Sequence, residues 1–167
     1  MSTPIMVAIA DDHVLFVKGM RMILEAFENI ELILEAYDGE SLIEKIPDNV
    51  PDVILLDFKM PHMDGFAVVK WLKQHYPIVK ILMLTMYDDQ RLITQLLQEG
   101  AHGYLLKNES PQIVEKAIQT VFETGLFLND IAARAMLDQL NNNKPTAVSP
   151  KLSKREIEVL QLICQEK

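Results

Sequence analysis

The chain has 167 residues, 24% of them charged and 49% of them hydrophobic, which fits one globular domain with a short appendage and is too apolar for a disordered chain. Residues 1–137 carry 11 Lys and Arg against 20 Asp and Glu, and this acidic surplus would repel a polyanion, so the bulk surface is not expected to bind nucleic acid. The sequence shows no long apolar run, no basic N-terminal leader and no cysteine besides Cys164. We therefore predict a cytoplasmic protein with no membrane contact and no disulfide framework.

Five short apolar runs alternate with amphipathic stretches along the first part of the chain. Their length, their β-branched residues and the turn residues beside several of them favour strands over buried helix turns. We predict strands at Ile5–Ala10, Ile30–Tyr37, Val53–Leu56, Val79–Met86 and Gly103–Leu106.

The stretches between these strands have the spacing of amphipathic helices. After the first strand, apolar residues recur at i, i+4, i+7, i+8 and i+11 from Phe16, which places them on one helix face. Asp38 and Ser110 are suitable N-caps, and Gly100 is suited to end the helix before the fifth strand. Helices that alternate with strands predict a doubly wound α/β fold, in which a parallel sheet is covered on both faces.

The C-terminal part of the chain has a different pattern. A further helix is predicted around Ile131–Leu140, followed by a polar, Pro-containing linker at 141–150. At Ser153–Glu156 a capping box precedes an apolar run, which predicts the start of another helix. We therefore divide the chain into a first domain at 1–124, a helix and linker at 125–151, and a further helical segment at 152–167.

Chemically reactive side chains stand at the carboxyl ends of four predicted strands. Asp11 and Asp12 follow the first strand, Asp57 the third and Lys107 the fifth, while Thr85 lies near the end of the fourth. Such loops meet in one crevice of an open parallel sheet, so these residues should converge. Clustered carboxylates repel one another unless a cation neutralises them, and an all-oxygen cluster suits Mg²⁺. Asp57 could then act as a nucleophile toward a phosphoryl group.

Residues 1 to about 122 resemble the receiver domain of bacterial two-component response regulators of the NarL/FixJ type. The motifs that carry the resemblance are Ala10–His13, Leu56–Gly65, Leu84–Thr85 and Gly100–Lys107. The resemblance implies a flavodoxin-like fold with a five-stranded parallel sheet in the order 2-1-3-4-5 and a C-terminal helical extension.

The resemblance also implies a role for the residues at the strand ends. Asp57 matches the phosphoacceptor, and Lys107 matches the lysine that pairs with the phosphoryl group. Asp11 and Asp12 match the metal-binding pair, and the main-chain carbonyl of Lys59 would be a further Mg²⁺ ligand.

By the same resemblance, Thr85 and Tyr104 match the switch hydroxyl and the switch aromatic. A sensor histidine kinase would supply the phosphoryl group, and phosphorylation would alter an output surface and favour a homodimer. The protein would not be an enzyme with turnover, but a phosphoacceptor switch with self-catalysed phosphoryl transfer and slow autodephosphorylation.

The segment Leu152–Leu160 resembles the opening of a LuxR-type helix-turn-helix domain. The recognition helix that such a domain places in the major groove is not present in this sequence. We therefore expect 152–167 to be an incomplete start of that domain, and specific DNA binding only from a full-length transcription regulator.

Three features depart from the receiver pattern or are left open by it. Asn108 stands where many receivers have a proline after the lysine, so no cis-proline is expected. Lys59 and Tyr87 flank the path of an attacking water, and the phosphoryl lifetime is therefore not implied by the resemblance. His13 and His62 are expected to be solvated loop residues.

Three other functions compete with this interpretation. A phosphohydrolase of the haloacid dehalogenase type would need a second Asp two residues after Asp57, where this chain has Lys59. A flavodoxin-like carrier of FMN would need a phosphate loop rich in Ser, Thr and Gly where Asp11 and Asp12 stand. A receiver that serves only as a protein-interaction module has no need of an intact acid cluster.

Overall fold

The computed structural model describes residues 3–142, which form an α/β fold around one parallel sheet. The sheet has the strand order β2-β1-β3-β4-β5, and its strands are β1 Ile5–Ala10, β2 Ile30–Ala36, β3 Val53–Asp57, β4 Lys80–Thr85 and β5 Gly103–Leu106. The helices are α1 Val14–Glu25, α2 Gly39–Lys45, α3 Gly65–His75, α4 Gln90–Gln98, α5 Pro111–Thr124 and α6 Asp130–Asn142. The predicted doubly wound fold and its strand order are confirmed.

The two faces of the sheet bury alternate residues of the same strands, as the period of two in a strand requires. In β1, Val7 and Ile9 pack in the cluster formed with α1 and α5, whereas Ala8 and Ala10 pack in the cluster formed with α2, α3 and α4. All four of these side chains are fully buried. Helices on both faces therefore explain why the strands read as continuous apolar runs.

A third cluster lies beside β5 and includes the first turns of α6. Tyr104 of β5 is fully buried there, together with Ile93 of α4 and with Ala132 and Ala135 of α6. The compact unit that holds the sheet extends to Met136, so these residues all belong to it. The cluster was not anticipated from the sequence, because it joins side chains that are far apart along the chain.

Side-chain caps fix where several helices begin. Asp38 Oδ1 accepts a hydrogen bond from the Ser41 amide at 2.6 Å, and Ser110 Oγ accepts one from the Ile113 amide at 3.4 Å, as predicted. After α4 the backbone of Gly100 has a φ of +110°, a conformation that favours glycine.

The observed elements differ from the predicted ones mainly at their ends. β4 begins at Lys80 because the amide of Val79 donates to Tyr76 O in a turn instead of joining the sheet. Helix α6 continues to Asn142, two residues into the predicted linker. The remaining linker and the predicted segment at 152–167 lie outside the described residues. Among residues 3–142, no helix is both long and apolar enough to cross a membrane.

Candidate functional site at the carboxyl edge of the sheet

The carboxyl ends of the strands bring the predicted side chains to one edge of the sheet. Asp11 directly follows β1, Asp57 is the last residue of β3 and Thr85 is the last residue of β4. These three are the buried polar or charged residues of the part of the chain that the structure describes. Burial of polar groups is costly unless they are paired, so the fold concentrates that cost at this edge.

The loop after β3 is shaped by three residues of the predicted motif. His62 has a φ of +66°, which turns the chain back toward the start of α3. Asp64 then caps α3, since its Oδ1 accepts a hydrogen bond from the Ala67 amide at 2.9 Å. A Cβ at Gly65 would lie 2.8 Å from the carbonyl oxygen of Asp57, so only glycine allows the helix to begin this close to the acidic residue.

Lys107 is the cation that the structure places among the carboxylates. Its Nζ lies 2.6 Å from Asp11 Oδ2 and 3.1 Å from Asp57 Oδ1. Only 6% of the lysine side chain is exposed, and the pairs are therefore poorly screened by solvent. One ammonium group faces two buried carboxylates, and Asp12 adds a third carboxylate at the rim. We call Asp11, Asp12 and Asp57 the acid cluster.

Asp57 carries the largest electrostatic cost in this arrangement. The pKa of its carboxyl group is raised from 3.8 to about 6, because burial and the nearby charge of Asp11 raise it by more than Lys107 lowers it. Its Oδ2 atom is buried and has no hydrogen-bond partner. Asp11 Oδ2 also lacks a hydrogen bond, but it lies 2.6 Å from the ammonium of Lys107 and is ion-paired. Asp57 Oδ2 is therefore the oxygen that most needs a further cation.

The donor atoms of the acid cluster fit a small divalent cation. One ligand atom from each of Asp11, Asp12, Asp57 and His13 lies within 4.8 Å of the others. Three carboxylate oxygens are the type of donor that Mg²⁺ prefers, and Asp57 Oδ2 is buried without a hydrogen-bond partner. The residues therefore fit the predicted metal. Nothing in the geometry tests the proposed carbonyl ligand of Lys59, which remains a prediction.

The backbone of Tyr87 links the two predicted switch residues. The Tyr87 amide donates a hydrogen bond to Thr85 Oγ1 at 3.0 Å, and the Tyr87 carbonyl accepts one from the Tyr104 hydroxyl at 2.7 Å. Burial raises the pKa of Tyr104 to about 12, so its hydroxyl stays protonated and acts as the donor. Thr85 and Tyr104 are thus joined through one peptide segment, a connection that the sequence did not reveal.

Two further contacts at the mouth of the site were also missed. The ammonium of Lys59 lies 4.8 Å from the centroid of the Tyr87 ring, within the range of a cation–π interaction. His13 is exposed, as expected of a loop histidine, yet its Nδ1 lies 3.0 Å from Oδ1 of both Asp11 and Asp12. Residue spacing cannot reveal such contacts, because they depend on side-chain rotamers.

An apolar cavity of about 590 Å³ opens next to Lys107 and His13, between α1 and α5. Its wall includes Phe16, Met20 and Val114. The acid cluster is therefore bordered by a surface that is less polar than the site itself.

Comparison with known proteins agrees with this geometry. Residues 7–119 match the family described as the response regulator receiver domain. The oxygen regulatory protein NreC of Staphylococcus haemolyticus is 34% identical, over 95% of this chain and 76% of its own length.

Solved structures give the same result at the level of the fold. The receiver domain of the response regulator NarL from Mycobacterium tuberculosis is 32% identical with a TM-score of 0.70, and the match covers 74% of this chain and 99% of that one. The two-component response regulator RcsB, in its complex with DNA, is 29% identical with a TM-score of 0.75, over 96% of this chain and 77% of RcsB. The chain thus belongs to the response regulators that carry a receiver domain, and its relatives are of the NarL/LuxR type.

Proposed function

We propose that the protein accepts a phosphoryl group on Asp57 from a sensor histidine kinase, in a reaction that requires Mg²⁺. The observation that carries the proposal is the buried carboxylate of Asp57, whose Oδ1 lies 3.1 Å from the ammonium of Lys107 and whose Oδ2 has no hydrogen-bond partner. A carboxylate with a raised pKa that sits in a crevice with a specific charge partner is typical of a functional group. As a member of a family of phosphoacceptors, the chain would use that group as its nucleophile.

In the proposed reaction, a carboxylate oxygen of Asp57 attacks the phosphorus of a phosphohistidine. The new P–O bond forms as the P–N bond breaks, and the imidazole of the kinase leaves with the electron pair. Lys107 holds the nucleophile in place and neutralises charge on the transferred group, which matters more for phosphoryl transfer than covalent assistance does. Bound Mg²⁺, held by Asp11, Asp12 and Asp57, would supply further neutralisation.

The switch would begin at the Thr85 hydroxyl. In the unmodified protein this oxygen accepts the Tyr87 amide, and its own proton remains available for an acceptor. A phosphoryl oxygen on Asp57 would attract that proton and draw Thr85 toward it. Because Tyr87 is also bonded to Tyr104, the same displacement would act on the cluster at β5, a local charge event read out by packing.

The Lys59–Tyr87 contact would affect how long the phosphoryl group survives. Lys59 lies two residues after Asp57 and Tyr87 two residues after Thr85, and the Lys59 ammonium lies 4.8 Å from the centroid of the Tyr87 ring. Their contact would hinder the approach of water to the acyl phosphate, so its loss would shorten the lifetime of the phosphorylated form.

The output of the switch would be a change in how the protein associates with a second copy of itself and, in a longer form, with DNA. We propose that phosphorylation favours a homodimer and that a longer form of the protein acts on DNA through a LuxR-type domain. The support for DNA binding is the similarity to RcsB, which has been solved in complex with DNA, together with the tail motif at Leu152–Leu160.

Intact mass measurement after incubation with acetyl phosphate and Mg²⁺ tests the central step. The wild type should gain one phosphoryl group, and Asp57→Asn should gain none. Asp88→Asn is the matched control, because Asp88 is an exposed carboxylate at the same edge of the sheet and lies outside the acid cluster. Equal uptake by Asp57→Asn, or undiminished uptake by the wild type in excess EDTA, would refute the proposal.

A further inference from the structure

His13 directs a nitrogen atom at the proposed cation site. Its Nδ1 lies 3.0 Å from Asp11 Oδ1 and 3.0 Å from Asp12 Oδ1. A ring nitrogen of His13 is also one of four donor atoms that lie within 4.8 Å of one another, together with an oxygen of Asp57. The donor set of this chain is therefore three carboxylates and one imidazole, and not carboxylates alone.

The backbone holds the imidazole in this position. His13 occupies the N-cap position of α1, and its amide donates a hydrogen bond to Asp11 Oδ1 at 2.9 Å. The ring then folds back over the same carboxylate, with 66% of the side chain exposed to solvent. An ion could reach Nδ1 from solvent without any rearrangement of the buried residues.

The contacts of Nδ1 suit a position at which either a proton or a cation lies between the ring nitrogen and the carboxylates. A lone pair on Nδ1 would face two carboxylate oxygens, which is unfavourable unless a proton or a metal ion lies between the nitrogen and the oxygens. In the metal-free protein a proton on Nδ1 can serve, because it is donated to the carboxylates. Lys107 Nζ lies 3.5 Å from the same nitrogen, but its ion pairs are with Asp11 and Asp57 and not with the carboxylate of Asp12.

We propose that His13 is a ligand that sets the cation selectivity of the site and makes it accept borderline transition ions such as Co²⁺ through Nδ1. The proposal rests on the function proposed above, since it uses the same carboxylates and the unpartnered Asp57 Oδ2. Mg²⁺ prefers oxygen ligands and retains its waters, so it gains little from an imidazole. Ions later in the first transition series bind imidazole readily.

A merely structural role for His13 makes a different prediction. If the ring served only to orient Asp11 and Asp12 through hydrogen bonds, its removal would weaken the binding of every divalent ion by a similar factor. The ratio of the two dissociation constants, Kd for Mg²⁺ over Kd for Co²⁺, separates the two roles.

The test is isothermal titration of the untagged, EDTA-stripped chain with Mg²⁺ and, separately, with Co²⁺. His13→Ala should raise the Kd for Co²⁺ by about tenfold or more, which is the effect expected when a contributor to a metal site is lost, and the Kd ratio should fall by a similar factor. The visible absorption of bound Co²⁺ should change as a nitrogen ligand is lost. His62→Asn is the control, because His62 lies outside the four-residue donor set and Asn tolerates its positive φ.

Each result decides between the roles. A lower Kd ratio with an altered Co²⁺ spectrum supports the selectivity role of His13. An unchanged ratio or an unchanged spectrum in His13→Ala overturns it, while leaving the phosphoacceptor proposal intact. If the wild type binds neither ion at millimolar concentration, the metal site itself fails, and both proposals fall with it.

Discussion

Replacing Asp57 by Asn should make the metal-free protein more stable at neutral pH, although it removes the proposed phosphoacceptor. The side chain is only 5% exposed, and the pKa of its carboxyl group lies at about 6 in the folded protein against 3.8 for the free group. The folded state therefore holds a proton more tightly than the unfolded state does. The contribution of Asp57 to stability is therefore most favourable below about pH 3.8, declines as the pH rises to about 6, and remains reduced above that value.

The size of the effect follows from the gap between the two pKa values. That gap corresponds to about 3 kcal/mol for full ionisation. Asparagine has the shape of the neutral carboxyl group and avoids this cost, so Asp57→Asn should stabilise the fold by about 2–3 kcal/mol at pH 7.5. For a chain of this size that is a rise in Tm of roughly 5–10 °C.

The measurement is thermal unfolding followed by circular dichroism in EDTA between pH 4.5 and 8. The advantage of Asp57→Asn over the wild type should be largest at pH 7.5 and should shrink as the pH falls below 6. Saturating Mg²⁺ should also reduce it, because the cation neutralises the same carboxylates. Glu28→Gln is the control, since Glu28 is an exposed carboxylate and such changes fall within about 0.5 kcal/mol. A variant no more stable than the wild type, or an advantage independent of pH, would refute this reasoning.

Mg²⁺ should stabilise the unmodified protein by about 2.7 kcal/mol at 100 times its Kd. Asp12→Ala should remove most of that stabilisation in thermal unfolding. A melting temperature of the wild type that does not change with millimolar Mg²⁺ would contradict this. Burial holds the pKa of His102 at about 4 against 6.5 for the free group, so its contribution to stability is full above about pH 6.5 and is lost as the pH falls toward 4. His102→Asn can still accept the Ile81 amide hydrogen bond. It should reduce the total loss of stability between pH 6.5 and pH 4 by about 1–2 kcal/mol once solvent screening is allowed for, and an equal loss in the two proteins would argue against this. Tyr104→Phe should cost about 1 kcal/mol in urea unfolding, because the Tyr87 carbonyl loses its donor; an unchanged midpoint would show that water replaces that bond.

Features of the fold that repeat along the chain were predictable from the sequence. The continuous apolar runs of the buried strands and the oxygen-bearing caps Asp38 and Ser110 depend on neighbouring residues, so local patterns are enough to find them. The convergence of Asp11 and Asp57 was also predictable, because parallel strands all end at the same edge of a sheet.

Features that depend on rotamers or on distant packing were not predictable in the same way. The ring of His13 could point into solvent or back onto Asp11 with no change in spacing, and only the structure distinguishes the two. The Lys59–Tyr87 contact joins two loops whose approach depends on the whole fold. The end of β4 was placed too late because Met86 is apolar, whereas the structure leaves it exposed.

The cluster at β5 has a practical consequence for any shortened version of this protein. Tyr104 is fully buried partly because Ala132 and Ala135 of α6 lie against the same cluster. A fragment cut at residue 124 would keep the sheet and the acid cluster but would lose both alanines, and with them part of the cover over the aromatic ring. Tyrosine fluorescence or ring-flip rates measured on such a fragment would then report a more mobile Tyr104 than the intact fold contains. A fragment meant to preserve the native environment of this side chain should extend at least through Met136.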